Sequence, residues 1–251
     1  MILTNRQLVY LAVGALMVVL LVAGTIVIYP RRSEPKPQEK LVEKLSLEEY
    51  LVALDPGHGG IDGGSEYGSL KEKEITLAVA EKVGKNLSKL GSKVMLTREA
   101  DNDISRLYPE ERTRQRRDLM ARVKVAQEEN ADVLVSIHVN AAQASFKGPM
   151  VFYQKNSSDS KRLAETLLAE LRKVSRHHQQ DLIPANYFIL KQASIPAVLV
   201  ELGFITNIEE RNQLQTEDYQ QELALAIAKG INRYLQFTDG DIPGEIKSVR
   251  Q

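Results

Sequence analysis

Four residues carry the chemistry this chain could do. His58 lies in Asp55-Pro56-Gly57-His58-Gly59-Gly60, just after a short apolar run, and His138 closes a second run in Val135-Ser136-Ile137-His138-Val139-Asn140. A third run, Ala197-Val198-Leu199-Val200, leads into Glu201, where an unpaired carboxylate would be expensive to bury without a task. Glu72 follows a glycine-rich loop at the start of a predicted helix, so its carboxylate can point back toward the histidines. Two neutral imidazoles and one carboxylate form a three-ligand set suited to Zn2+, with one position left for water. Zinc acidifies such a water, and a carboxylate off the metal can take its proton and pass it to a leaving amine. His58, Glu72 and His138 are therefore the candidate ligands, and Glu201 is the candidate general base.

Each of these residues also has an ordinary reading. A histidine after a glycine turn is commonly structural, and one that ends an apolar strand can be a satisfied core group. Glu72, among Lys71, Lys73 and Glu74, looks like any solvated first-turn residue. Their joint placement favours chemistry, because in a parallel sheet all three runs end on the same edge. Other chemistries are excluded by residue type. The chain has no cysteine, hence no thiolate nucleophile, Cys-ligated zinc or disulfide. Gly57-His58-Gly59-Gly60-Ile61-Asp62 lacks the third glycine of a dinucleotide fingerprint, and no Gly-Lys-Ser/Thr follows for a P-loop. Ser65 sits in no Gly-x-Ser-x-Gly elbow. The glycines are better read as letting backbone approach a metal and a substrate closely.

The elements that must position these groups alternate. Apolar runs predict strands over 51–54, 93–96, 132–139, 149–153, 187–190 and 197–201, and periodicity predicts helices over 75–90, 119–128, 160–175 and 219–234. Ile75, Val79, Val83 and Leu87 form the inward face of the first helix, and Leu163, Leu167, Leu171 and Val174 that of the third. The alternation implies a single α/β domain with a mostly parallel, doubly covered sheet. It places the zinc site at the carboxyl ends of the strands. No internal repeat marks a second module.

This catalytic domain spans 49–237, with three flanking segments. Residues 1–32 read as an N-terminal membrane anchor or signal segment, in which 7–30 carry no charge. About 20 apolar residues span a bilayer, more than the apolar stretch of a signal peptide. Residues 33–48, with Pro35 and Pro37, read as a tether, and 238–251, with Gly240, Pro243 and Gly244, as a disordered tail. Arg6 precedes the apolar span while Arg31, Arg32, Lys36 and Lys40 follow it, so the positive-inside rule alone leaves the domain in the cytoplasm. The formal net charge is +0, and with three arginines as the sole charges of 1–32 the remainder stands at −3. Nucleic-acid binders show a basic field, so nucleic acid is set aside as a partner.

Four motifs in order point to one family. Asp55-Pro56-Gly57-His58-Gly59-Gly60, Lys71-Glu72-Lys73-Glu74-Ile75-Thr76-Leu77-Ala78, Ala131-Asp132-Val133-Leu134-Val135-Ser136-Ile137-His138-Val139-Asn140-Ala141 and Pro196-Ala197-Val198-Leu199-Val200-Glu201-Leu202-Gly203-Phe204-Ile205-Thr206-Asn207 resemble the zinc-dependent N-acetylmuramoyl-L-alanine amidases of the amidase-3 family. The resemblance runs from about residue 51 to 235. It implies Zn2+ on His58, Glu72 and His138, catalysis by Glu201, and hydrolysis of the amide between the lactyl group of N-acetylmuramic acid and L-alanine in peptidoglycan. It also decides for Glu72 over Glu74. Gln127 departs from the pattern, since relatives often carry Asn there.

A narrower resemblance lies in Arg112-Thr113-Arg114-Gln115-Arg116-Arg117-Asp118-Leu119-Met120-Ala121-Arg122, which is similar to a segment of the germination-specific amidases of spore formers. It implies removal of stem peptides from spore cortex ahead of muramic δ-lactam formation. It also implies a muramic acid deacetylase acting next, an activating protein as a further partner, and a domain held by the N-terminal helix outside the cytoplasm, in the forespore or intermembrane space. Glu110, Glu111 and Asp118 can simply balance these arginines, but guanidinium forks also grip carboxylates. Arg122, on the helix feeding the His138 strand, is thus a candidate substrate contact, and Asn140 is the other. Two further readings are a catalytically silent wall-binding or regulatory module on the same fold, which intact Glu201 argues against, and a zinc carboxypeptidase acting on stem peptides.

Overall fold

The computed structural model describes residues 50–175 and 181–236, all within one compact unit, Leu45–Gln251. The expected anchor, tether and tail lie outside the described residues. Among the described residues, no helix is long and apolar enough to cross a membrane.

Among the described residues, eight strands and six helices follow in order: β1 (Leu51–Pro56), β2 (Glu66–Tyr67), β3 (Leu70–Lys71), α1 (Glu72–Lys89), β4 (Lys93–Leu96), α2 (Arg114–Glu128), β5 (Val133–Asn140), β6 (Met150–Gln154), α3 (Ser158–Val174), β7 (Leu182–Ala185), α4 (Phe188–Gln192), β8 (Ala197–Phe204), α5 (Ile208–Leu214) and α6 (Glu217–Gln236). The main sheet has the order β4-β1-β5-β8-β6-β7, and β2 and β3 form a separate hairpin. Strands β4, β1, β5 and β8 are parallel, so their carboxyl ends share one edge. Strand β6 runs antiparallel to β8, and β7 parallel to β6. The expectation of an α/β fold with a mostly parallel sheet is met, with the far end of the sheet reversed.

Side chains alternate across a strand, and here the alternation sorts two cores. Val52, Leu54, Val133, Val135, Ile137, Val198 and Val200 pack under α1, α3 and α6, including Val79, Val83, Leu167 and Ile227. Ala53, Leu134, Ala197 and Leu199 pack with Val123 and Ala126 of α2 and Ile189 and Leu190 of α4. Both faces are covered, as a parallel sheet requires.

Three differences from the expected elements have local causes. Residues 187–190, expected as a strand, begin helix α4, because four apolar residues in a row carry no period that separates the two states. The strand at that end is β7, which holds Pro184. A proline is tolerated there because β7 is the sheet's edge and needs no second row of donors. Helix α2 starts five residues before the expected 119, where Thr113 accepts from Arg116 N–H at 3.2 Å and caps it.

Candidate active site

Strand β1 delivers the first candidate ligand through a tight turn. Gly57 N–H donates to Ile137 O at 2.9 Å, and His58 then takes the left-handed conformation, φ 61°. That conformation costs a non-glycine residue about 1–2 kcal/mol. Asn130 and Asn156 share it, but asparagine tolerates it in turns, whereas His58 must be held there. A Cβ on Gly57 would lie 2.4 Å from His138 Cε1, and one on Gly64 2.6 Å from both Glu72 Oε2 and His58 Cδ2. These two glycines let the loops close on the three side chains.

Glu72, the first residue of α1, is only 2% exposed. Its Oε2 accepts from Ser65 N–H at 2.7 Å, and its Oε1 from Val139 N–H at 2.8 Å. The same Oε1 lies 2.9 Å from His138 Nδ1 and 3.2 Å from His58 Nε2. The imidazole rings stand edge to face, 4.9 Å between centroids. Behind His58, Asp62 Oδ2 sits 3.0 Å from Nδ1, the placement by which a carboxylate orients a metal-bound imidazole. Burial opposes charge at both groups, yet the pairing prevails. The two histidines hold the Glu72 carboxyl well below its usual range, and Glu72 with Asp62 raises His58 to about 9. One candidate ligand atom each from His58, Glu72 and His138 lies within 4.8 Å of the others. Donor type and number fit zinc, and the glycine-lined closeness fits a small ion. Glu74 is exposed.

Glu201 stands across from His138 in the β5–β8 register. Its Oε2 is buried without a hydrogen-bond partner among the described residues. Burial pushes the carboxyl up to about 7, against the pull of His138 and with Glu72's negative charge adding to the rise. A carboxyl near neutrality and lacking a protein partner suits proton transfer. Asn140 ends β5, half-buried, with its amide against Met150 Sδ at 3.9 Å and its backbone carbonyl accepting from Ile205 N–H at 2.8 Å.

Arg122 does not face the cleft. It is 1% exposed, and its donors go to Asp118 Oδ2, Asp55 Oδ1, Pro56 O and His58 O at 2.6–2.8 Å. The expected substrate contact is corrected accordingly, since the buried guanidinium is already engaged by protein acceptors. Two partners in this network escaped the sequence reading. Asp55 is buried, and it is held below the usual carboxylate range by Arg122 and by the Ser136 and Thr97 hydroxyls despite that burial. Arg98 is 2% exposed, and burial with the like charge of Arg122 brings it down to about 10, so it stays charged at neutral pH. Arg98 follows an apolar strand at the same edge as His58 and His138, and that shared position is the signal that could have found it.

The N-acetylmuramoyl-L-alanine amidase family model matches residues 52–233. The chain belongs to this family. It is 35% identical over 210 residues to the germination-specific N-acetylmuramoyl-L-alanine amidase of Bacillus subtilis, covering 79% of this chain and 85% of that one. Among solved structures it is similar to the CwlD amidase from Clostridioides difficile in complex with the GerS lipoprotein, with TM-score 0.69, 37% identity, and coverage of 74% of this chain and 98% of that one. It is also similar to the amidase AmiC2 of Nostoc punctiforme, with TM-score 0.66, 32% identity, and coverage of 75% and 98%. The chain is accordingly an N-acetylmuramoyl-L-alanine amidase acting on peptidoglycan. The carboxypeptidase and silent-module readings are set aside.

Proposed function

We propose that this amidase depends on zinc held by His58, Glu72 and His138, that Glu201 is its proton-transfer residue, and that its substrate is spore cortex peptidoglycan. The observation that carries the zinc reading is the convergence of the three donors within 4.8 Å, with Glu201 one strand away in register with His138. When bound there, zinc supplies Lewis acidity toward the scissile carbonyl and toward water. Glu201 takes the proton of the attacking water as the oxygen adds to the lactyl carbonyl. It then returns that proton to the L-alanine nitrogen as the C–N bond breaks, so the stem peptide leaves with a free amine. Asn140, half-buried at the end of β5, is the residue we assign to holding a substrate amide.

The spore cortex role is supported by the identity to a germination-specific amidase. In that role the product is a muramic acid stripped of its peptide, which a deacetylase takes on toward δ-lactam. An activating protein is an expected partner, and the CwlD relative was solved with a lipoprotein bound. The catalytic domain works outside the cytoplasm, on the side where peptidoglycan lies, tethered through the apolar segment of 1–32. Muropeptide analysis of spores lacking the protein tests the reading: loss of muramic δ-lactam with stem peptides retained is expected. A normal δ-lactam content removes the cortex role, and released terminal amino acids as the enzyme's products would remove the amide-bond assignment.

A further inference from the structure

We propose that Arg98 and Arg122 are positioning residues for the metal centre, turning three successive backbone carbonyls inward so that His58 is held against Glu72 before any metal arrives. The proposal rests on the reading of His58, Glu72 and His138 as metal ligands. Arg98 Nε donates to Pro56 O at 2.9 Å, and its Nη2 to Gly57 O at 3.0 Å. Arg122 Nη1 donates to Pro56 O at 2.7 Å, and its Nη2 to His58 O at 2.6 Å. Thr76 Oγ1 adds a second donor to Gly57 O at 2.9 Å. Every carbonyl of the turn that carries the first ligand is thus bound from within the protein.

The arrangement explains the His58 backbone. Beyond the sheet, carbonyls ordinarily turn to water, and a histidine would relax to negative φ. Three inward carbonyls remove that choice and leave His58 at φ 61°. Arg98 Nη2 also donates to Lys73 O at 2.9 Å, next to Glu72 in the first turn of α1, so one side chain ties both ligand-bearing segments together. Only a guanidinium can do this, because its planar fork serves several acceptors at once, whereas a lysine offers one compact ammonium. The buried charge of Arg122 is matched by Asp55 and Asp118, each at 2.8 Å, so the clamp adds no unpaired cation beneath a cation site.

The experiment compares Arg98→Lys, Arg122→Lys and Leu167→Ala with the unaltered chain purified in detergent. Zinc affinity is read by competition with a chromogenic chelator, and folding by the thermal melt of metal-free protein. Leu167 is the control because it is fully buried in the apolar core of α3, and its side chain bonds no carbonyl of the turn. The two lysine variants are expected to melt cooperatively and bind zinc about 10–100-fold more weakly. Leu167→Ala is expected to melt lower with unchanged affinity. Unchanged affinity in a folded lysine variant overturns the proposal, as does an equal loss in Leu167→Ala, since any destabilisation would then suffice.

Amide exchange on metal-free unaltered protein decides the matter if the lysine variants do not fold. The N–H groups of Gly57 and Gly59, bonded to Ile137 O and Asp62 O at 2.9 Å each, are expected to be protected. Exchange at the rate of an unstructured peptide would overturn a preformed turn. An unaltered protein that binds no zinc would defeat the metal reading instead, and the exchange measurement would still test the clamp.

Discussion

The two faces of the central sheet come from the same strands and differ in what they carry toward the carboxyl edge. Under α1, α3 and α6 the series Val52-Leu54, Val133-Val135-Ile137-Val139 and Val198-Val200-Leu202 stay apolar from end to end. Under α2 and α4 the alternate positions change character: Ala53 gives way to Asp55, Leu134 to Ser136 and then His138, and Ala197 and Leu199 to Glu201. The first face is core throughout. The second is core at the amino ends and chemistry at the carboxyl ends. One face can therefore tolerate buried charge because the other anchors the same strands with unbroken apolar packing.

The comparison predicts that changes on the second face remove function before fold. His138→Ala should have the largest effect, abolishing turnover and metal occupancy together, as elemental analysis of purified protein would show. A variant that kept stoichiometric zinc would take His138 out of the ligand set. Glu201→Gln comes next: zinc stays, and kcat falls by about 10²–10⁴-fold because an amide cannot accept the water's proton. Full turnover in that variant would end the proposed role.

Much of this face was legible from residue order alone. His58, His138 and Glu201 each end or follow an apolar strand, and parallel strands bring such ends together, so the edge could be drawn before the fold was known. The choice of Glu72 over Glu74 was not legible from charge or spacing, only from resemblance. In the structure the two differ in placement: residue 72 is the first of α1 and turns under the Gly64 loop, while residue 74 faces solvent. Arg122 was misread because a basic run on a helix looks the same whether an arginine points out or in. Its inward turn depends on Asp55, 67 residues away in the chain, and no local pattern encodes that. Helix α4 was lost for a simpler reason, its five residues being too few to show a helical period.

On the first face the prediction reverses. Leu167 is fully buried where α3 meets α6, and the helices are so close that a Cβ on Gly230 would lie 2.7 Å from Leu167 Cα. Leu167→Ala should cost about 2–5 kcal/mol of stability, measured by denaturant unfolding, with the zinc affinity of the folded protein unchanged. Equal losses of stability and affinity would mean that the two faces are coupled more tightly than their separate cores suggest.

The smallest expected effect separates the faces by pH. Burial raises the Glu201 carboxyl from its usual 4.5 to about 7, so between those values the folded metal-free protein binds a proton that the unfolded chain has released. Stability must then fall as pH rises through that window, by on the order of 1–3 kcal/mol. His58 acts in the next window. Raised from 6.5 to about 9, it contributes stability that is complete below 6.5 and lost as pH rises toward 9. Glu72, shifted downward, loses its contribution only in acid, below about 4.5. Denaturant unfolding of chelator-treated protein should therefore show a decline from pH 4.5 to 6.5 that Glu201→Gln lacks, and a decline above 6.5 that both share. Leu167→Ala, which alters no titrating group, should run parallel to the unaltered protein throughout, only lower. If Glu201→Gln also runs parallel, the Glu201 carboxyl titrates normally, and its titration does not separate the two faces by pH.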